Sequence, residues 1–225
     1  MLSPATGYKI AFMHPRTREL LDDLDAQRAV LRDAFTAVPL SRRDTPPAPN
    51  RWSAAGIVEH LAIIEQRLAG LLSAKIAAAR AEGLAPESST DPILPTIDTA
   101  KVLDRSTRVT APPTGRPTGL PADAAWAALE RAGAAVRDAL VSGDGLALDT
   151  VLHPHPLFGP LSAYYWFGFL AAHEGRHAAQ LREIVEGPET MAAETMEREA
   201  LRLARPEPVE GRARSGQASA ERTSS

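Results

Sequence analysis

An all-α fold, a four-helix bundle with a long crossover between its second and third helices, is what the sequence predicts. Three observations carry this. Four stretches place apolar residues at helical spacing, Pro- and Gly-rich segments separate them, and a His-x-x-x-His pair faces inward from the last stretch. The 225 residues, 44% of them apolar, suffice for one domain with a sizeable core plus extensions.

The first helix is predicted over about 16 to 38, where Leu20, Leu24, Gln27, Leu31, Phe35 and Val38 recur three and four apart while Asp22, Asp23, Asp25, Arg28 and Arg32 fall elsewhere on the wheel. It ends before PLSRRDTPPAPN, whose prolines remove backbone donors and disfavour helix ahead of them. Ser53 is the expected N-cap of the second helix, which carries Ile57, Leu61, Ile64, Leu68 and Leu71 inward and runs to Gly83. The third follows Pro121 with Trp126, Leu129, Gly133, Val136 and Leu140 on its stripe and stops at the SGDG turn. The fourth starts near Pro160, carries Trp166, Phe169, Leu170 and Ile184, and reaches a C-cap at Gly187.

Residues 84 to 120 form a Pro-, Thr- and Gly-rich crossover with only TAKVLDRSTRVT hinting at an extended piece; connections of this length are often functional, and this one is expected to cover one end of the bundle. The domain is thus expected to span 1 to 187. Residues 188 to 205 suit a further helix opened by Pro188, and 206 to 225 are too polar to bury enough surface to offset ordering entropy, so a disordered tail is expected.

Composition bounds the function. The net charge of −3 and the scatter of both signs leave no basic stripe for phosphates, so no nucleic-acid partner is expected. No stretch approaches the ~20 apolar residues of a membrane span, and the first twenty residues lack the apolar run of a signal peptide. A soluble, cytoplasmic protein is expected. The absence of cysteine removes disulfides, thiolate metal sites and cysteine nucleophiles together, so a metal here must rest on His, Asp or Glu.

The histidines point to such a metal. His173 and His177 lie within roughly 40° of each other on the wheel, on the side of Trp166, Leu170, Gln180 and Ile184. Two imidazoles buried together strand ring nitrogens unless something binds them, and a divalent ion does so directly. Zinc is favoured, with nickel, iron and manganese as alternatives, and each wants a third ligand. His60, at the flank of the second helix's stripe, is the best candidate; its neighbour Glu59 is expected to point outward. Gln180 is a candidate partner for one of the imidazoles, and Trp52 and His155 are candidates for the wall of a substrate pocket. His14, beside Pro15, reads as a surface residue, and His153 with His155 as part of a Pro-broken loop before the fourth helix.

His173-Glu174-Gly175-Arg176-His177 also satisfies the H-E-x-x-H pattern of zinc peptidases, which makes Glu174 a candidate catalytic base. The longer pattern asks for glycine where Gln180 stands and histidine where Glu183 stands, and there is little strand before the motif to receive a peptide. The peptidase is therefore the least favoured alternative.

The run 51-RWSAAGIVEHLAIIEQRL-68, followed about a hundred residues later by 155-HPLFGPLSAYYWFGFLAAHEGRHAAQLREI-184, resembles the DinB/YfiT-like family of metal-binding four-helix bundles. The resemblance covers roughly 12 to 187, with Trp52 and Ser53 before the second helix, His155 to Gly159 before the fourth and Gln180 after the pair as further matches. It implies a three-histidine divalent-metal site at His60, His173 and His177, a homodimer, and a small-molecule substrate. Transfer of a low-molecular-weight thiol and hydrolysis are the two activities it implies; since the chain has no cysteine, a thiol must arrive as a cosubstrate. The alternative is a non-catalytic, stress-associated binding or scaffold bundle whose ion only ties two helices together.

Overall fold

A computed structural model describes residues 13–106, 110–156 and 158–203, the last sixteen of these by backbone alone. The chain divides into two units, Met1–Gly187 and Pro188–Ser225. Helix α1 spans Pro15–Ala37, α2 Ala54–Ala81, a single turn α3 Ala100–Leu103, α4 Ala122–Ser142, and the helical run α5 Ala163–Leu203. Within α5, Gly187 adopts non-helical backbone (φ 78°, ψ 168°), a left-handed conformation open to glycine, at the boundary between the units. The disordered tail expected over 206 to 225 lies outside the described residues.

Helix starts follow local chemistry. The His14 side chain caps α1, its Nδ1 accepting from Arg16 N–H at 3.3 Å, with Pro15 at the first helical position. His14 is half-buried and its own N–H donates to Asp144 at 3.0 Å, so it is a cap tied to the far end of α4 and not a surface residue. Ser53 caps α2 by accepting from Gly56 N–H at 3.0 Å.

The core consists of two apolar clusters. One contains Leu20 and Leu24 of α1, Ala69, Leu72 and Ile76 of α2, Val136 and Leu140 of α4, and Ala163 to Ala172 of α5. The other contains Leu31 to Val38, Ala54 to Ala62, Ala122 to Leu129, and Ala178 to Ile184. Read along the chain, α1 and α5 pass from the first cluster to the second, while α2 and α4 pass from the second to the first. Helices α2 and α4 are therefore parallel, and the chain leaving α2 must return along a helix about 40 Å long before α4 can begin. This geometry requires a long crossover.

The crossover is built, not slack. Ile93, Ile97 and Val102 are buried in the first cluster, and Ala100–Leu103, within the TAKVLDRSTRVT stretch expected to be extended, instead forms the turn α3. Three short 3-10 turns, at Leu40–Arg42, Leu94–Thr96 and Pro113–Gly115, shape this and the preceding loop. Close to α4 the crossover is clamped by Glu59. That side chain is not directed to solvent: it is 2% exposed and accepts from Thr118 N–H, Thr118 Oγ1, Gly119 N–H and Leu120 N–H at 2.6 to 2.9 Å. Burial alone would raise its carboxyl, but the Thr118 hydroxyl and the three backbone donors hold it below the ordinary range. Glu59→Ala strands these donors and is expected to cost about 3 kcal/mol, read by urea unfolding.

Two further differences concern the wheel and the fourth helix. The deepest stripe of α2 is Val58, Leu61, Glu65, Ala69, Leu72 and Ile76, with Ile64, Leu68 and Leu71 only half-buried, because small and ion-paired residues occupy the seam between helices. Arg28, expected on the polar face of α1, is 9% exposed. Before α5 the Pro-broken loop is an antiparallel hairpin, β1 (Leu152–His155) against β2 (Gly159–Ser162), with Gly159 at φ 74° and the helix starting at Ala163 rather than near Pro160.

Candidate metal centre

His60 of α2 and His173 and His177 of α5 converge, their candidate ligand nitrogens all within 4.8 Å of one another. The ring centroids of His60 lie 5.3 Å from His173 and 5.1 Å from His177. Each imidazole is oriented differently. His60 Nδ1 is 2.6 Å from the Gly115 carbonyl, which can only accept, so the proton sits on Nδ1 and the Nε2 lone pair is free. His177 Nδ1 donates to Gln180 Oε1 at 2.8 Å, again leaving Nε2. His173 has no such partner: its Nδ1 is buried without a hydrogen bond, and its ring stacks on Phe169 at 5.6 Å.

The nitrogens His173 Nε2 and His177 Nε2 are 3.1 Å apart. Two ligands held about 2.0–2.1 Å from one ion stand about 3.3 Å apart in a tetrahedral arrangement, so this pair is already at coordination spacing. The donor set is three neutral imidazoles. Burial lowers His60 against the opposing Gly115 bond; burial and the neighbouring rings lower His173; and burial with His60 holds His177 at about 3. The residues fit a divalent metal ion, which binds imidazole in its neutral form.

The same shifts set a pH dependence for the metal-free protein. Unfolded imidazoles take up protons below about pH 6.5, while the folded ones resist until lower pH, so the unfolded chain binds more protons there. The imidazoles' contribution to stability is expected to be level from pH 8 to 6.5 and to fall from 6.5 to 5, by at most about 1.4 kcal/mol per pH unit for each imidazole. Unfolding midpoints across this range check it, and a His173→Leu/His177→Leu variant should flatten the slope.

The surroundings of the site divide into three parts. Trp52 packs on His60, ring centroids 4.9 Å apart. His155 stacks with Phe158, Trp166 and Phe169 at 4.5 to 5.2 Å, and Phe169 in turn stacks on His173. His153 is half-buried and tilts on Trp166. On the far side Glu183 is ion-paired to Arg51 and Arg105, and Arg176 donates to the Val102 and Asp104 carbonyls, tying the crossover to α5. A surface cleft lined by Arg32, Phe35, Arg43 and Trp126 contains none of the three histidines.

Glu174 is placed away from the ring nitrogens. It is 1% exposed and both carboxylate oxygens are taken by Arg28, Nε to Oε2 at 2.8 Å and Nη2 to Oε1 at 2.9 Å. Arg28 Nη2 also donates to Glu65 Oε2 at 2.7 Å. Sequence reasoning missed Arg28, Glu65, Glu59 and Gly115 as residues around the site. Arg28 and Glu65 left a signal, since 28 stands four after Leu24 and three before Leu31, and 65 four after Leu61 and three before Leu68.

Gln180 is an outer residue whose hydrogen bond goes to one ligand, His177. Gln180→Ala removes the acceptor that fixes the His177 tautomer, and metal affinity is expected to fall by about 10- to 100-fold, measured by chelator competition.

A family model described as the DinB superfamily matches residues 23–181. No curated protein and no solved structure matches the chain. No helix among the described residues is long and apolar enough to cross a membrane.

Proposed function

The chain belongs to the DinB superfamily, and from this premise we propose that it is a divalent-metal-dependent enzyme acting on a small molecule, by thiol transfer or by hydrolysis. One observation carries the reading: two of three converging imidazoles have their Nδ1 protons committed, to Gly115 and Gln180, so that their Nε2 atoms serve as ligands. Among the described residues no fourth His, Asp or Glu joins the group, as suits a site with an exchangeable position rather than a closed structural one. When bound, a divalent ion held by neutral ligands keeps its full charge and brings the pKa of a water or thiol towards neutrality.

The chain's own residues supply the rest. Glu59 and His60 hold the end of the crossover against α2, and Arg67 donates to the Thr114 carbonyl at 2.9 Å, so residues 114–120 are fixed over the His60 side. Trp52 walls the same side. Glu174 serves Arg28, and no role at the reacting atoms is assigned to it. This also disfavours a zinc peptidase, whose motif glutamate must face the metal.

Elemental analysis of protein prepared without a tag or chelator, followed by assays of thiol loss towards an electrophile and of small-ester and amide hydrolysis, tests the proposal. About one ion per chain with metal-dependent turnover in either assay supports it. Stoichiometric metal without turnover in both favours the non-catalytic bundle.

A further inference from the structure

The two apolar clusters of the core are separated by a single polar layer. Arg28 stands between Leu24 and Leu31, Glu65 between Ala62 and Ala69, Gly133 between Leu129 and Val136, and Glu174 between Ala172 and Ala178. The layer joins all four long helices, because Arg28 of α1 reaches Glu65 of α2, the Leu129 carbonyl of α4 at 3.2 Å and Glu174 of α5. Gly133 makes room for it: a Cβ there would lie 2.7 Å from Arg28 Nη1.

We propose that Arg28 is a positioning residue for the three-histidine centre, fixing the register of α2 against α5 through its ion pairs with Glu65 and Glu174. The proposal rests on the metal-site reading above. Its physical basis is directionality. Apolar contacts are non-directional, so neighbouring registers of Leu, Ile and Ala differ little, whereas a buried guanidinium in a bidentate pair tolerates one. A shift of one helical turn, about 5.4 Å, would strand the ions and part His60 from His173 and His177. A buried polar residue setting register is the best-attested use of such groups.

The composition of the layer supports positioning over stability. One carboxylate would neutralise Arg28, yet two are present, each on a helix that bears a metal ligand: Glu174 adjoins His173, and Glu65 follows His60 on α2. The second is imperfectly satisfied, its Oε1 buried without a hydrogen bond. Burial and the Glu174 charge push the Glu65 carboxyl well above the usual range.

The test compares the triple variant Arg28→Met/Glu65→Gln/Glu174→Gln with Arg32→Met, which breaks the exposed Arg32–Glu130 pair between α1 and α4. The triple variant leaves no lone buried charge, so it is expected to keep its helicity and a cooperative thermal transition. Its affinity for Co(II) is expected to fall at least tenfold and its visible d–d bands to change, while Arg32→Met stays within about threefold of wild type. In the metal-free protein, NOEs between the His60 ring and the His173 and His177 rings are expected to weaken in the triple variant alone. Wild-type Co(II) affinity and ring NOEs in a folded triple variant would overturn the proposal, as would a triple variant that does not fold, since the layer would then serve stability. A wild-type protein that binds no Co(II) yet shows the ring NOEs, lost in the triple variant, would defeat the metal reading and leave the register role standing.

Discussion

Replacing His60 with alanine is expected to abolish stoichiometric metal binding, although His60 lies far in sequence from the His173 and His177 pair. A site of three imidazoles left with two keeps no protein ligand from α2, and the loss should exceed the 10- to 100-fold expected for an outer partner such as Gln180. His177→Ala should be equally severe. Elemental analysis of the two variants beside wild type gives the result directly: metal retained in His60→Ala but lost in His177→Ala would mean that α5 holds the ion without α2.

Replacing Arg28 alone with methionine is expected to lower stability by about 3–5 kcal/mol, since it leaves Glu65 and Glu174 buried without their cation. Burial opposes the charge on Arg28, but the bond to Glu174 and the charges of Glu65 and Glu174 outweigh it and strengthen its hold on the proton. Denaturant unfolding measures the change. Adding Glu65→Gln and Glu174→Gln to Arg28→Met should recover most of the loss, because the penalty arises from uncompensated charge and not from missing volume. A single variant as stable as wild type would mean that water reaches the layer and screens it.

The parts of the site legible in sequence are those set by periodicity within one helix. His173, His177 and Gln180 are one turn apart on α5, so their common face follows from 3.6 residues per turn, and the structure finds Nδ1 of His177 on Gln180. His60 was a candidate from its place beside the α2 stripe and is brought to the pair by packing. Glu174 shows where such reading stops. Its letters fit a zinc-peptidase base, but its direction depends on Arg28, 146 residues earlier, and no local pattern reports that pairing. Glu59 reads as an outward carboxylate on the wheel, and only the backbone donors of Thr118 to Leu120 make an interior of its surroundings.

By itself the sequence determined the four long helices, the cap at Ser53, the break at Gly187 and the common face of His173 and His177. Each depends on contacts within a few residues or on one helical period. Only the tertiary structure decided that α2 and α4 run parallel, that His60 takes its tautomer from the Gly115 carbonyl, and that Arg28, Glu65 and Glu174 share one buried layer. These are pairings between residues 37 to 146 positions apart. They form because unpartnered buried donors and charges are more costly than the alternatives, and that penalty depends on which helices meet rather than on any local run of residues.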